Sequence, residues 1–209
     1  MSIAAILLAA HSIDGHEHNP GLLPWRADQT LIEYQVDQLE RVLREASPAA
    51  WVIEVVVGLD AEEVIPIVAG DNVEPIIDPT WMSDPSSALR VGAAAVPRGT
   101  TSVLIVPVTA PRPASIYRTV IEAHATSGAR ITRPSFEGTP GYPIVVDENV
   151  LAALRNVSDE RGGIDALLQQ HTENAHDVPL ESAVALLSIR SLSDYVEARA
   201  SFAFDVTRG

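Results

Sequence analysis

The sequence contains no cysteine and has few basic side chains for its 209 residues. Without cysteine the chain can form neither disulfides nor thiolate metal sites. Its 14 Lys and Arg residues are outnumbered by 28 Asp and Glu residues, which gives a formal net charge of −14. Because nucleic acids and anionic membranes are bound through basic side chains, this balance argues against both. We therefore expect no nucleic-acid partner and no membrane partner.

The sequence also lacks an apolar run long enough to cross a bilayer. Its most apolar segment, residues 3–10, is far shorter than the roughly 20 residues that a spanning helix needs. No positive residues precede this segment, so it does not resemble a signal peptide, and we expect a cytoplasmic protein. The chain is 46% hydrophobic, which is enough to bury a substantial core. No repeat or linker-like stretch divides it, so residues 1–209 are predicted to form a single domain.

Apolar, β-rich runs alternate with segments of helical spacing along the chain. In the first half, strands are predicted at residues 3–10, 51–57, 73–77 and 102–106, with helices at 29–45, 61–69 (interrupted by Pro66) and 86–96. The second half is predicted to contain helices at 114–126, 147–155 and 163–170, strands at 129–132 and 183–189, a loop at 134–143 and a last helix capped by Ser193. Continuously apolar strands between helices indicate a parallel sheet with both faces covered. The sequence therefore predicts an α/β fold, a three-layer α/β/α sandwich with a largely parallel sheet.

The first strand and the loop after it carry a family resemblance. Residues 8–24 match, without a gap, the length of the pattern L-A-A-G-x-S-x-R-M-G-x-P-K-x-L-L-P, and they end in Leu22-Leu23-Pro24. This segment resembles the opening of the MobA-like nucleotidyltransferases, which transfer a nucleotide from CTP or GTP to molybdopterin. The resemblance implies a Rossmann-like fold of the nucleotide-diphospho-sugar transferase type. It also implies a set of ligand-binding positions, which are Ala9, Ala10, His11, Ser86, Ser87, Thr109, Gly138 and Gly141.

The same loop differs from the family in its phosphate-handling residues. His11 stands in place of a glycine, Ile13 of a serine, Gly15 of an arginine, Glu17 of a glycine and Pro20 of a lysine. Two cations are thus lost, and acidic groups have entered. At an effective dielectric constant of about 20, each cation lost near a phosphate removes on the order of a few kcal/mol. The loop is therefore predicted to bind a triphosphate poorly.

Later landmarks of the family are retained only in part. Trp81, Ser86 and Ser87 keep the frame of a nucleotide-contacting W-x-x-G-x-S-S-S segment, in which the serines are predicted to be helix N-caps. A helix N-terminus at this point could also hold an anion. Two positions that the family fills with metal-binding acidic residues are Thr109 and Arg190. A guanidinium at the second position repels Mg²⁺, so no catalytic residue is predicted there.

Three functions remain open at this stage. The first is a diverged, catalytically inactive family member that acts as a binding or partner protein, linked to molybdenum cofactor handling through a molybdoenzyme or a cofactor-maturation protein. The second is an active cytidylyl- or guanylyltransferase that uses Mg²⁺ with CTP or GTP through relocated groups. The replacement cations would come from Arg112, Arg118, Arg130 or Arg133, and the replacement metal ligand from Asp78 or Asp84.

The third function is a transition-metal site in the loop after the first strand. His11, His16 and His18 lie close together in sequence, beside Asp14 and Glu17. Imidazole and carboxylate groups are ligands for zinc and nickel. The loop therefore predicts a metal site formed by the three histidines, whose geometry the sequence does not specify.

Overall fold

A computed structural model describes residues 2–205 of the chain, and for residues 203–205 it describes the backbone alone. The strands are, in chain order, β1 (Ile3–Ala9), β2 (Pro24–Arg26), β3 (Gln29–Thr30), β4 (Trp51–Val57), β5 (Val73–Ile77), β6 (Ser102–Pro107), β7 (Ile131–Phe136), β8 (Thr139–Pro140), β9 (Ile144–Asp147) and β10 (Ala175–Pro179). The α-helices are α1 (Leu31–Ala46), α2 (Ala61–Val68), α3 (Ser87–Ala95), α4 (Ala114–Ser127), α5 (Glu148–Leu154), α6 (Gly163–Gln170) and α7 (Leu192–Asp205).

An eight-stranded sheet runs through the molecule in the order β10-β7-β9-β6-β1-β4-β5, with β8 beside β7. The central pairs β6-β1, β1-β4 and β4-β5 are parallel, as is β10-β7. Strand β9 runs antiparallel to both β6 and β7. The predicted α/β fold with a largely parallel sheet is therefore confirmed, and the sheet is mixed because β9 reverses direction.

Both faces of the sheet are buried, as the continuous apolar strands predict. Along β1, Ile3, Ala5 and Leu7 face a core that includes residues of α1, α4 and α7. The alternate residues Ala4 and Ile6 face a second core built with α3 and α5. The three-layer arrangement follows from this alternation, since successive side chains of a strand point to opposite faces.

Local signals in the sequence set several element boundaries. Helix α1 begins in a capping box, in which the Thr30 side chain accepts from the Glu33 backbone N and the Glu33 carboxylate accepts from the Thr30 backbone N. Helix α3 packs closely on the sheet because Gly92 has no side chain. A Cβ atom there would lie 2.4 Å from Ile6 Cγ2. Helix α2 is continuous, so the predicted interruption at Pro66 is wrong.

In the first half, the short strands β2 and β3 were not predicted, and residues 29 and 30 belong to β3 and not to the helix. The remaining differences lie in the second half of the chain. Residues 183–189 are not a strand. Their start forms a 3-10 turn because the Ser182 hydroxyl accepts from Val184 N at 3.2 Å. The loop predicted at 134–143 contains the end of β7 and the short β8, and β9 and β10 were missed. The last helix begins at Leu192 and is capped by the Ser191 hydroxyl, not by Ser193. No helix within residues 2–205 is long and apolar enough to cross a membrane.

Candidate functional site

A pocket opens at the carboxyl ends of β1 and β6. From β1 the chain continues to β4 on one side and later returns to β6 on the other, so these two strand ends form a topological switch point. In open α/β sheets ligands bind at such points. The pocket has a volume of about 450 Å³. We call it the strand-end pocket. The residues that line it include His11, Ser12, Asp14, Thr109 and Arg190.

Backbone hydrogen bonds bring Thr109 and Arg190 together in this pocket. Ile189 N donates to the Thr109 carbonyl at 2.8 Å, and Asp14 N donates to the Arg190 carbonyl at 2.8 Å. The two positions that the family resemblance assigns to acidic residues are therefore neighbours, as a shared metal would require. Their side chains are a hydroxyl and a guanidinium. The Arg190 side chain is 82% exposed, and its Nε lies 3.4 Å from Asp194 Oδ2.

His11 ties the end of β1 to the segment after β5. Its Nε2 lies 3.0 Å from the Trp81 carbonyl oxygen, which can only accept, so this nitrogen donates. The two rings also meet edge to face, with centroids 6.1 Å apart. The indole of Trp81 packs on Gly58 at the end of β4, where a Cβ atom would lie 2.5 Å from Trp81 Cγ. Trp81 is therefore a packing residue over the strand ends, and His11 fixes its position.

The structure does not bring together the three histidines of the loop after β1. His11 is held by Trp81. The His18 ring contacts the Asp60 carboxylate at 3.2 Å, and the rings of His16 and His18 are 5.9 Å apart. Among the side chains of residues 2–202, no three His, Asp or Glu residues are grouped closely enough to hold a metal ion. A metal site formed by His11, His16 and His18 therefore stays a prediction from the sequence.

Ser86, at the N-terminus of α3, is bound by a carboxylate of the chain itself. Its backbone N and its hydroxyl donate to the two oxygens of Asp159, at 3.0 and 2.6 Å. Ser86 occupies the N-cap position of α3 as predicted, but its side chain makes no capping bond to the helix. The anion expected at this helix end is thus supplied by Asp159.

Ser87 is engaged in the same way by a buried acid. Its hydroxyl bonds to the Asp78 carboxylate and lies 2.6 Å from the Asp84 carbonyl. Asp78 is fully buried and also accepts from the backbone N and the hydroxyl of Thr80, at 2.9 and 3.0 Å. Neither serine is left with a free donor group for a ligand.

The arginines considered as replacement cations lie outside the strand-end pocket. Arg112 is 1% exposed and donates to the carbonyls of Pro111, Tyr142 and Ala185, all within 2.9 Å. Burial lowers the pKa of Arg112 to about 10. The other three are surface residues: Arg118 pairs with Glu45 at 2.6 Å, Arg133 pairs with Asp177 at 2.6 Å, and Arg130 is exposed. Asp78 and Asp84, the proposed replacement metal ligands, contact residues of α3 instead: Asp78 accepts from Ser87, and Asp84 pairs with Arg90.

The remaining predicted ligand positions are Ala9, Ala10, Gly138 and Gly141, and each has a structural role in the chain. The carbonyls of Ala9 and Ala10 accept from Asn19 Nδ2 at 2.6 Å and from Leu59 N at 2.9 Å. Gly138 is an exposed turn residue with φ +79°. A Cβ atom at Gly141 would lie 2.0 Å from the Ala185 carbonyl oxygen, so close chain packing requires this glycine.

Sequence reasoning missed two groups that shape the site. Asn19 is completely buried and anchors the end of the first loop, and the signal for it was its position directly before Pro20, at the start of a 3-10 turn. The second point that was missed concerns the basic side chains. All 14 of them are arginines, and the sequence contains no lysine. A lysine contact to phosphate is therefore excluded throughout the chain.

Comparison with known proteins agrees with this fold. No curated protein matches the chain in sequence. Among solved structures, Rv0371c of Mycobacterium tuberculosis in complex with manganese is similar, with a TM-score of 0.76, 18% identity and coverage of 96% of this chain and 100% of that one. A nucleotidyl transferase from Methanothermobacter gives 0.77 and 21%, covering 98% and 99%. Molybdopterin-guanine dinucleotide biosynthesis protein A of Archaeoglobus fulgidus gives 0.64 and 12%, covering 96% and 98%.

These structures share the nucleotide-diphospho-sugar transferase-like fold that the sequence predicts, and at such identities they show the fold alone. The sequence carries the family assignment, because residues 15–175 match the model of the MobA-like NTP transferase domain. The chain belongs to the MobA-like NTP transferase family.

Proposed function

We propose that this chain uses its MobA-like fold to bind a ligand or a partner protein and does not transfer nucleotides. The observation that carries the proposal is the meeting of Thr109 and Arg190 in the strand-end pocket. Nucleotidyl transfer requires a divalent ion that neutralises charge developing on the phosphates, and carboxylates hold such an ion. Neither position supplies a carboxylate.

The residues that line the strand-end pocket do not fit Mg²⁺ or Mn²⁺. Asp14 is the only carboxylate in the lining, and its backbone is bonded directly to Arg190. The Arg190 guanidinium adds positive charge to this lining, which opposes a divalent cation and provides no ligand for it. We therefore derive no metal-assisted step for this chain.

The pocket is equally unsuited to a triphosphate. Arg190 is its only basic residue other than His11. A nucleoside triphosphate brings about four negative charges, and the protein already carries −14. The serines that the family resemblance assigns to ligand binding, Ser86 and Ser87, bind Asp159 and Asp78 instead.

A gain-of-function experiment tests this proposal. The double variant Thr109→Asp/Arg190→Asp restores both acids and should bind Mn²⁺, which we expect to see as a saturable electron paramagnetic resonance or calorimetric signal. The wild type should show no such signal, and neither CTP nor GTP with Mg²⁺ should raise its melting temperature. Arg98→Asp/Thr126→Asp is the matched control, because it makes the same charge change at exposed positions elsewhere.

The competing function is an active transferase that uses Asp14. It would be supported by transfer of CMP or GMP to molybdopterin by the wild-type protein, with loss of that activity in Asp14→Asn. Such activity would overturn the proposal directly. If the double variant and its control bound Mn²⁺ equally, the argument from Thr109 and Arg190 for a non-catalytic protein would fail.

We extend the proposal to molybdenum cofactor handling, with a molybdoenzyme or a cofactor-maturation protein as partner. Its support is the family and the name of the Archaeoglobus neighbour, which shares the fold at 12% identity. Titration with about 0.1 mM molybdopterin-guanine dinucleotide would saturate a site of micromolar Kd. We expect quenching of tryptophan fluorescence that is lost in Trp81→Phe and retained in Trp51→Phe. No quenching would remove the molybdenum link and leave the non-catalytic proposal in place.

A further inference from the structure

A second concave site lies between α3 and the segment that joins α5 to α6. We call residues 155–161 the strap and the space between it and α3 the strap groove. The groove has a volume of about 540 Å³ and shares no lining residue with the strand-end pocket. Three of the 14 arginines of this acidic chain, Arg90, Arg155 and Arg161, line it. No function argued above uses these residues.

Polar contacts at three points hold the strap along α3. Arg155 Nε donates to the Ala93 carbonyl at 3.0 Å, and Arg90 Nη1 donates to the Val157 carbonyl at 3.1 Å. The third point is the pair of bonds from Ser86 to Asp159. The strap therefore runs from the end of α3 back to its start, and both walls of the groove are fixed relative to each other.

Two of the three carboxylates that line the groove are already paired. Asp84 Oδ2 lies 2.7 Å from Arg90 Nη2, and this contact, more than any other, lowers the pKa of Asp84. Asp159 accepts both donors of Ser86. Glu160 is the third and makes no side-chain hydrogen bond or ion pair within the part of the chain that the structure describes. Asp84 is therefore neutralised by an arginine, Asp159 is hydrogen-bonded by uncharged donors, and the three carboxylates of the lining are matched in number by its three arginines.

The other two arginines are anchored without being neutralised. Arg155 uses its Nε on a backbone carbonyl, and Arg161 uses one Nη on the Asn156 carbonyl. Within residues 2–205 neither makes an ion pair, and their other N–H groups have no hydrogen-bond partner. Each guanidinium therefore keeps its full charge and several donors, while a carbonyl reduces the conformational freedom that binding would otherwise remove.

We propose that the strap groove binds the phosphomonoester group of a small phosphorylated metabolite through Arg155 and Arg161. Arg155 and Arg161 both line this groove, and each guanidinium keeps N–H donors of the kind that bind phosphate oxygens. Asn156 and Ser158 line the same groove and supply polar groups for hydroxyls of the remainder of the ligand. Glu160 and the overall charge of −14 disfavour ligands with more than one phosphate.

Ribose 5-phosphate and ribose form a matched pair of probes, because they differ only in the phosphate. We expect saturable binding of ribose 5-phosphate by calorimetry, at least about tenfold tighter than that of ribose. Arg155→Gln/Arg161→Gln should weaken it by at least about tenfold. Arg98→Gln/Arg130→Gln, at exposed positions outside the groove, should leave it unchanged. Equal affinity for the two sugars, or equal affinity in wild type and the groove variant, would overturn the proposal.

Trypsin gives a second readout that maps the ligand to the strap. Because the chain has no lysine, trypsin can cut only after arginine. Ribose 5-phosphate should slow cleavage after Arg155 and Arg161 relative to cleavage after Arg98, and unchanged relative rates would contradict the site. If the double variant fails to fold, Arg161→Gln alone serves, since the one contact of its side chain lies within the strap. Neither assay contains nucleoside triphosphate or metal, so its outcome is independent of the nucleotidyl transfer test.

Discussion

The strand-end pocket and the N-terminus of α3 depart from a nucleotide site in opposite ways. In the pocket, the side chains of Thr109 and Arg190 face an open space and make few contacts with the rest of the protein. At α3, Ser86 and Ser87 are retained from the family pattern, but their hydroxyls donate to the carboxylates of Asp159 and Asp78. The first region lacks the carboxylates that the family pattern has at these two positions, whereas in the second the retained serines are bonded to carboxylates of the chain itself.

This difference separates function from stability. Polar groups satisfied inside the protein contribute to folding and are costly to remove. Exposed groups in an open pocket contribute little to folding and can change with small effect. Substitutions around α3 should therefore change the free energy of unfolding, and substitutions in the strand-end pocket should mainly change what binds there.

The largest effect is expected for Asp78→Ala. Removing this buried carboxylate leaves the backbone N and the hydroxyl of Thr80 without their acceptor and removes one of the two acceptors near the Ser87 hydroxyl, which we expect to lower the free energy of unfolding by about 3 kcal/mol. Urea denaturation at pH 7 measures the change, with the exposed Asp71→Ala as control. A loss below about 1 kcal/mol would show that the region around α3 is not held by these bonds.

The second largest effect is expected for Glu54 and depends on pH. It tests whether a buried carboxyl without hydrogen-bond donors in the described part of the chain behaves differently from Asp78, which has them. Glu54 is 4% exposed on β4, in register with Glu74 on β5, and burial followed by the charge of Glu74 raises its pKa to about 7. Between the unfolded value of 4.5 and about 7 the folded state holds the extra proton, so stability falls as the pH rises through this window. Glu54→Gln should therefore raise the free energy of unfolding by on the order of 2 kcal/mol at pH 8 and change it little at pH 4.

Urea denaturation of both proteins across this pH range measures the effect. Glu74→Gln removes only the neighbouring charge and should give a smaller gain at pH 8, since burial is the main cause of the shift. A difference between Glu54→Gln and the wild type that does not depend on pH would mean that the pKa of Glu54 is the same in the folded and the unfolded state, and would contradict the expected upward shift.

A smaller effect is expected for Asp159→Asn. The amide can accept one hydrogen bond but carries no charge to interact with the positive end of α3, so we expect a loss of about 1 kcal/mol. Hydrogen exchange in the first turn of α3 should rise as well. Asp165→Asn, an exposed change on the neighbouring helix α6, is the control and should alter neither quantity. Similar values for both variants would place the anchoring of the strap elsewhere.

The sequence was sufficient for the four adjacent parallel strands β6, β1, β4 and β5 and insufficient for the strands of the second half of the chain. Strands β4 and β5 agree with the prediction because long apolar runs between helices have one common solution. Residues 183–189 are apolar too, but a short apolar run does not specify its secondary structure by periodicity. There a side-chain bond from Ser182 and a buried arginine that binds the Ala185 carbonyl decide the conformation. Both are long-range or local polar contacts that a pattern of apolar residues does not contain.

For the site, the sequence placed the substituted positions but could not show how the retained ones are used. Alignment with the family pattern pairs Thr109 with Arg190, and the structure brings them together. The same alignment made Ser86 a ligand-binding residue. Its partner Asp159 is 73 residues away in sequence, so only the folded chain shows that the position is filled.

The smallest stability effect is expected for Arg190→Gln, and it tests the other side of the comparison. The Arg190 side chain is 82% exposed, and its contact with Asp194 spans 3.4 Å, so the free energy of unfolding should change by less than about 0.5 kcal/mol. The structural bond at this position comes from the backbone, where Asp14 N donates to the Arg190 carbonyl, and the substitution retains it. Arg112→Gln is the contrasting variant, because its buried guanidinium holds three carbonyls and should cost several times more in the same urea experiment. A loss of about 2 kcal/mol or more for Arg190→Gln would mean that the side chain has a structural role, and its presence in the pocket would then no longer indicate a changed ligand.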